Sequence, residues 1–424
     1  MNLIQTKKLI EFLHAICKNL LVFFRWLIAA VLTGCFIGFV ASLFSLALQY
    51  VTSFRIAHGW TLWLLPLAGV LIVLIYRASN IKKPRGTNLV IEAVRSPEEL
   101  PARMAPLIFV STVLTHLFGG SAGREGAVLQ IGGSLANVLG KFLRLDDEKS
   151  KTIMIMCGMS AAFSALFGTP VTATVFAMEL ISVGVMYYSA LVPCAMSSVV
   201  ALEIAHMLGI TPTVYQVIGI PEIGMLSIIR VLVLSLFCAG LSVLFCFCLH
   251  KSEWLYETYI PNQYLRAAAG GILVIVLTFV FQTRDYLGAG GDIIMRSFQG
   301  EAQPWAFALK LLFTGVTLGA RFKGGEIVPS FFVGATFGCF FGGLIGLHPS
   351  FGAAIGLAAL FCGVTNCPIT TLMLSFELFG FTGSLYFLLA VAVSYMLSGY
   401  YSLYSAQKIV YAKTKPLFIN RCAN

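Results

Sequence analysis

The apolar runs of this chain decide what it can fold into. Leu20–Leu48, Leu62–Tyr76, Leu226–Leu249, Ala267–Phe281 and Gly380–Leu397 are hydrophobic almost throughout. Crossing a bilayer takes about 20 apolar residues in a helix. Only 11% of the residues are charged and 58% are hydrophobic, whereas a soluble domain carries charge on roughly 25%. The expected class is therefore an all-α polytopic membrane protein in contact with a lipid bilayer. The 34 phenylalanines suit a lipid-facing surface.

A net charge of +10 does not argue for nucleic-acid binding here, because the basic residues sit at the ends of spans. Lys7, Lys8, Lys18 and Arg25 lie near one terminus; Lys408, Lys413, Lys415 and Arg421 lie near the other. The positive-inside rule puts both termini in the cytoplasm, together with the basic loop Lys82, Lys83 and Arg85. The eleven cysteines are scattered, mostly within apolar runs, and show no metal-ligand spacing. Cys246 and Cys248, two apart, point to different sides of a helix. All read as small packing residues, and no cofactor is expected. No cleavable signal peptide is expected, since the first apolar stretch is too long.

Two glycine-rich breaks carry a carboxylate each. Gly-Ser-Ala-Gly-Arg-Glu-Gly spans 120–126 and Lys-Gly-Gly-Glu-Ile-Val-Pro spans 323–329. An ionisable residue at membrane depth costs about 2.5–3.5 kcal/mol on insertion scales, so Glu125 and Glu326 mark a pathway. Irregular backbone at that depth is tolerated where it lines a cavity. A pair of such breaks in corresponding positions points to a transporter's substrate site.

The chain also repeats itself. Pro170-Val171-Thr172 opens a run ending Glu179-Leu180, and Pro368-Ile369-Thr370 opens one ending Glu377-Leu378. The copies are offset by 198 (368 − 170), and the two break carboxylates by 201 (326 − 125). Each break is followed by a further glycine, Gly132 or Gly334. This implies two halves meeting near 208–226, with an inverted pair bringing its breaks face to face near the midplane. The expected organisation is a cytoplasmic N-terminal segment 1–19, membrane repeats 20–210 and 211–412, and a cytoplasmic tail 413–424. Met154–Leu166, Pro170–Leu180 and Pro368–Leu378 read as too short or interrupted to cross alone. Their prolines mark helix starts, where a missing N–H costs nothing. Exposed helix N-termini carry partial positive charge and unpaired N–H groups, which suit an anion.

These motifs resemble a known family. Gly123-Arg124-Glu125-Gly126 resembles the GREGP signature of CLC anion channels and anion/proton antiporters. Gly324-Gly325-Glu326-Ile327-Val328-Pro329 stands at the family's GGxFxP motif, and Leu403-Tyr404-Ser405-Ala406 resembles the segment with the anion-coordinating tyrosine. Gly86-Thr87-Asn88-Leu89-Val90 stands where most members have GSGIP. The order is the family's from about residue 20 to 412. The resemblance implies two inverted-topology halves with tilted, broken and re-entrant helices, and a homodimer. It implies anion contacts at Thr87, Asn88, Gly123, Arg124, Gly126, Gly325, Ile327, Val328 and Tyr404.

The departures narrow it. Leu180 stands where chloride/proton exchangers carry an inner proton-transfer glutamate, and Glu326 stands where chloride-type members have an apolar residue. The Glu326 change, with the altered serine loop, resembles the fluoride/proton antiporter branch. That implies fluoride and protons as substrates, in a bacterial plasma (inner) membrane. The alternative is a chloride channel or chloride/proton exchanger of the same fold. A membrane enzyme would want paired His/Asp motifs or a lipid-phosphate cluster, which the sparse acids here do not supply.

Glu125, at a predicted helix N-terminus, is expected to compete with the anion for the same donors and to leave when protonated. Glu326 is expected to handle a second proton. Structural readings stand beside these. Lys323 could pair with Glu326, Thr87 and Asn88 could cap a loop, and Tyr404 could be packing. Glu179 and Glu377 read as caps or pairs within each repeat. Lys310 is expected to snorkel or pair, and Ser121 and Thr365-Asn366 to form turns.

Overall fold

The computed structural model describes residues 3–81, 85–96 and 100–423, with side chains from residue 11 onward. The expected basic loop at Lys82 and Lys83 lies outside the described residues. Among these residues the chain forms two series of eight α-helices. The first runs α1 (Leu3–Ala57), α2 (Leu65–Ala78), α3 (Thr87–Arg95), α4 (Met104–Leu117), α5 (Glu125–Phe142), α6 (Glu148–Phe167), α7 (Pro170–Glu179) and α8 (Leu191–Met207). The second runs α9 (Met225–Tyr259), α10 (Gln263–Val280), α11 (Gly291–Phe298), α12 (Ala306–Gly319), α13 (Ile327–Leu344), α14 (Pro349–Thr365), α15 (Pro368–Phe379) and α16 (Ser384–Leu397). Long, short and medium helices recur in the same order.

Packing repeats as well. α1 lies on α8 as α9 lies on α16; α5 lies on α6 as α13 lies on α14. The halves meet through α2 with α10 and α7 with α15. The two repeated glycines explain the closest pairs. A Cβ on Gly132 would stand 2.2 Å from the Gly158 oxygen, and one on Gly334 would stand 2.5 Å from the Gly356 oxygen. Without a hydrophobic drive between helices in lipid, small residues let backbones approach and gain contact.

The centre of each half is a helix buried on all sides. Residues 154–167 of α6 and 350–365 of α14 are buried throughout. Such all-round burial belongs to the inside of a large membrane bundle. α1, α9 and α10 instead turn Leu21, Phe24, Phe36, Phe237, Phe247 and Phe279 outward, where lipid tails replace water. Among the described residues seven helical stretches are long and apolar enough to cross a membrane, while α4, α7, α12, α15 and α16 are shorter. α6 corrects the expectation of a short segment at Met154–Leu166. It starts earlier, at Glu148, with Asp147 capping it through the Ser150 N–H at 3.1 Å. The polar first turn hid that start.

Pro170 and Pro368 each open a helix as expected. The glutamates that close these helices do not act within their own repeat. Glu179 accepts the N–H groups of Ile369 (3.1 Å) and Thr370 (2.7 Å) at the start of α15. Glu377 accepts those of Val171 (2.9 Å) and Thr172 (2.8 Å) at the start of α7. The threonine hydroxyls add a bond each, Thr370 to Glu179 (2.6 Å) and Thr172 to Glu377 (2.5 Å). Each half caps the other's helix, as a two-fold relation requires. A helix start without partners would leave orphan N–H groups in a medium without water.

The all-α expectation has one small exception. β1 (Ser182–Val183), β2 (Lys408–Tyr411) and β3 (Phe418–Cys422) form a sheet in that order, β1 parallel to β2 and β2 antiparallel to β3. Part of the segment expected as a tail thus folds back. Lys413 donates to the Tyr395 oxygen (2.9 Å), to Ser398 Oγ (3.0 Å) and to Asn366 Oδ1. Burial pulls its ammonium down to about 8.

Candidate functional site

The two breaks meet. Gly123 N–H donates to the Gly325 oxygen at 2.7 Å, and Gly325 N–H returns the bond to Gly123 at 2.8 Å. This antiparallel bridge ties the start of α5 to the start of α13. Side chains have no room there. A Cβ on Gly325 would lie 2.7 Å from the Gly126 nitrogen and 2.8 Å from the Glu125 nitrogen. One on Gly123 would lie 2.3 Å from Glu125 Oε2. Glycine at both positions is what allows two helix N-termini to converge on one carboxylate.

That carboxylate is Glu125, the first residue of α5 and fully buried. Its Oε2 accepts the N–H of Arg124 at 3.0 Å and the N–H of Val328 at 3.2 Å. Val328 lies in the first turn of α13, so the carboxylate of one half sits on the helix start of the other. Free N–H groups and the helix dipole favour negative charge at this point. Glu125 therefore occupies a seat that a free anion could also take.

Three buried polar atoms around this seat have no partner: Glu125 Oε1, Glu326 Oε2 and the Tyr404 hydroxyl. Glu326 directly precedes α13. Its Oε2 lies 3.3 Å from where a Gly126 Cβ would stand, and Thr87 Oγ1 lies 2.9 Å from the same point. Thr87 opens α3 and donates to the Gly126 oxygen at 3.4 Å. Tyr404 is 1% exposed, and its charge interactions reach both Glu326 and Glu125. Buried polar atoms in folded proteins nearly always find partners, so three orphans in one place ask for an explanation.

Other sequence candidates sit nearby with different partners. Asn88 Oδ1 accepts the Ala406 N–H at 3.0 Å, and Arg95 donates to the Ala406 oxygen. α3 thus clamps the segment that carries Tyr404. Ile327 opens α13 and is buried. The Lys323 ammonium lies 5.0 Å from the Tyr76 ring centre, and it acts on Glu326 through charge without a direct hydrogen bond. Lys310 does not snorkel. It is fully buried and donates to the carbonyls of Tyr286 (3.2 Å) and Gly288 (2.6 Å). Ser121 ties the first break to α12, its N–H donating to Thr317 Oγ1 at 3.0 Å. Asn366 takes the left-handed turn after α14 at φ 58.

Gln407 escaped the sequence reading. Its amide donates to the Leu180 oxygen (3.0 Å) and the Thr365 oxygen (2.8 Å), and its oxygen accepts from Ser402 (2.9 Å) and Asn366 (3.2 Å). Three of these bonds hold the Tyr404 segment to Leu180 of the first half and to Thr365 and Asn366 of the second, and the bond from Ser402 closes the segment on itself. A lone glutamine after the last apolar run gives no signal in a sequence.

Comparison with known proteins agrees with this geometry. A model of the family described as voltage gated chloride channel matches residues 68–399. This chain belongs to the CLC family. A chloride/fluoride channel protein of Pseudomonas syringae pv. tomato is 35% identical over 398 residues, covering 92% of this chain and 87% of that one. Among solved structures, a CLC-type fluoride/proton antiporter superposes with a TM-score of 0.87 at 31% identity, covering 90% of this chain and 97% of the other. A slow cyanobacterial Cl−/H+ antiporter superposes with a TM-score of 0.78 at 18% identity, covering 88% and 94%, and bears on the fold alone. Two inverted halves with broken helices are thus the CLC architecture in this chain.

Proposed function

We propose that this protein is a secondary active antiporter that exports fluoride in exchange for protons. The observation that carries the reading is the pair of carboxylates at the joined breaks. Glu125 rests on the N–H groups of Arg124 and Val328, and Glu326 lies beside it with an unpartnered oxygen. Two members of the family similar to this chain carry fluoride in their names.

The chemistry follows from competition. An ionised Glu125 holds the Val328 N–H; a protonated one holds it weakly and can leave. An anion then takes the vacated donors. Proton uptake and anion entry thus become one exchange, which couples the two flows in opposite directions. Fluoride is small and strongly hydrated, so its lost water must be replaced by well-placed donors. Gly123, Arg124, Gly126, Gly325, Ile327 and Val328 contribute backbone or charge, and Thr87, Asn88 and Tyr404 contribute side chains. The Tyr404 ring edge adds partial positive charge. Glu326, negative, would repel the anion, so it acts by taking and giving a proton. Leu180 offers no titratable group at the place the chloride exchangers use.

The same reading includes a homodimer with one pathway per subunit, a bacterial plasma membrane, both termini cytoplasmic, and membrane repeats at 20–210 and 211–412. The deciding experiment compares anion efflux from reconstituted liposomes at equal gradients. Fluoride should leave much faster than chloride. Equal or faster chloride efflux would favour the chloride reading and leave the fold untouched. Cells lacking the protein should become more sensitive to fluoride, most of all in acid medium.

A further inference from the structure

Tyr404 stands in a stretch without regular structure: α16 ends at Leu397 and β2 begins at Lys408. Its hydroxyl is buried and has no partner among the described residues. The hydroxyl therefore does nothing to fix its own place, and the backbone that carries it must be held from elsewhere. Both polar groups of that backbone lead to one residue. Gln407 N–H donates to the Tyr404 oxygen at 3.0 Å, which closes a β-turn. Tyr404 N–H donates to Ser402 Oγ at 3.2 Å, and the Ser402 hydroxyl donates in turn to Gln407 Oε1 at 2.9 Å.

The Gln407 side chain is fully buried, and its bonding capacity is spent within the protein. Its amide nitrogen carries two hydrogens, which meet the oxygens of Leu180 and Thr365. Its oxygen accepts from Ser402 and from Asn366 Nδ2. The amide cannot turn over, because carbonyls only accept and two of them face the nitrogen. Leu180 follows α7 in the first half, and Thr365 ends α14 in the second. A segment fastened to one half would follow that half. Fastened to both, it stays beside the seat that the halves share. Asn88 and Arg95 steady the neighbouring Ala406 from α3.

We propose that Gln407 is a positioning residue for the transported anion: through Ser402 and the turn it sets where the Tyr404 hydroxyl stands, and so how tightly the anion is held. This rests on the reading of Tyr404 as an anion contact in the exchange proposed above. A donor already held in its bound place loses little freedom when the ligand arrives, so preorganisation adds affinity. Gln407 itself has no donor left for an anion. Its effect on affinity passes through Tyr404, which separates this role from a general contribution to stability.

Calorimetric titration of the purified full-length protein with sodium fluoride tests this in a double-mutant cycle. Tyr404→Phe removes the hydroxyl. Gln407→Met keeps the length of the side chain and none of its hydrogen bonds. Each should weaken fluoride binding by about the same factor, roughly two- to tenfold. The double variant should bind no more weakly than either single one. Gln407→Met should also lower the thermal midpoint, in both backgrounds alike. A role confined to stability would lower that midpoint and leave the affinity at the wild-type level. Wild-type affinity in Gln407→Met or in Tyr404→Phe would overturn the proposal, and so would factors that multiply in the double variant. If Gln407→Met does not fold, Ser402→Ala, which cuts the link from Gln407 Oε1 to the Tyr404 N–H, decides by the same comparison. Should the wild type bind chloride and not fluoride, the exchange reading fails; the same cycle run with sodium chloride then decides the role of Gln407 by the same outcomes.

Discussion

The two breaks are built alike and hold their carboxylates differently. Each opens a helix after a short glycine-rich segment, and one antiparallel bridge joins them. Glu125 is folded onto donors from both halves, while Glu326, one residue ahead of its helix, leaves Oε2 without any. At the other end of the repeat the halves stay symmetric: Glu179 and Glu377 cap each other's helices with matching bonds. Symmetry is kept where it holds the frame and broken at the two carboxylates, for which the proposed exchange needs different seats. A repeat that kept both carboxylates equivalent could not let one be displaced by an anion while the other keeps a proton.

The largest effect should come from removing titration at the occupied seat. Glu125→Gln keeps size and hydrogen bonding but cannot release a proton. It should abolish proton pumping driven by a fluoride gradient, read with a pH electrode, while the protein still purifies as a folded species. Intact coupling would make the two breaks equivalent after all and remove Glu125 from the mechanism.

Next comes the unpartnered seat. Glu326→Gln should stay folded and lose fluoride/proton exchange, whereas Lys323→Ala should retain most of it. The geometry sharpens this contrast, because Lys323 lies against the Tyr76 ring and acts on Glu326 through charge without a direct hydrogen bond. Normal exchange in Glu326→Gln would send the inner proton route through water or another residue.

The symmetric pair should respond in stability and leave coupling intact. Glu179→Ala strands the N–H groups of Ile369 and Thr370, and Glu377→Ala those of Val171 and Thr172. A stranded buried group such as the Thr370 N–H costs about 1–3 kcal/mol, and the exposed Val171 N–H costs less. Glu179→Ala should lower the thermal midpoint in detergent more, since Glu179 is 7% exposed and Glu377 is less deeply buried. Equal midpoints for both variants and the wild type would mean that these carboxylates do not hold the halves together.

How much of this was legible beforehand follows the same division. The long runs, the proline starts and the two break carboxylates were readable because each is a local signal with one physical meaning. The Pro-to-Glu spacing was visible too, but its meaning was not. A repeat in sequence does not say which copy a side chain reaches, and an inverted pair sends it across. Asn88 is the opposite case. Its position marked it as an anion contact; that its oxygen also accepts the Ala406 N–H and clamps the Tyr404 segment was announced by no motif. The start of α6 was misplaced because its first turn is polar, and membrane helices are read from their apolar stretches.

The smallest effect should be at Tyr404, and it discriminates between packing and binding for a simple reason. The hydroxyl has no partner among the described residues. Tyr404→Phe therefore strands no donor or acceptor and leaves the ring's packing in place, so the thermal midpoint should not fall. If the hydroxyl meets the anion, one donor is lost from the bound state alone. That loss is worth about 0.5–1.5 kcal/mol, or roughly two- to tenfold in fluoride affinity. Coupling should survive, since Glu125 and Glu326 remain. An unchanged affinity beside an unchanged midpoint would leave the hydroxyl with no role, and the ring alone would explain why a tyrosine stands there.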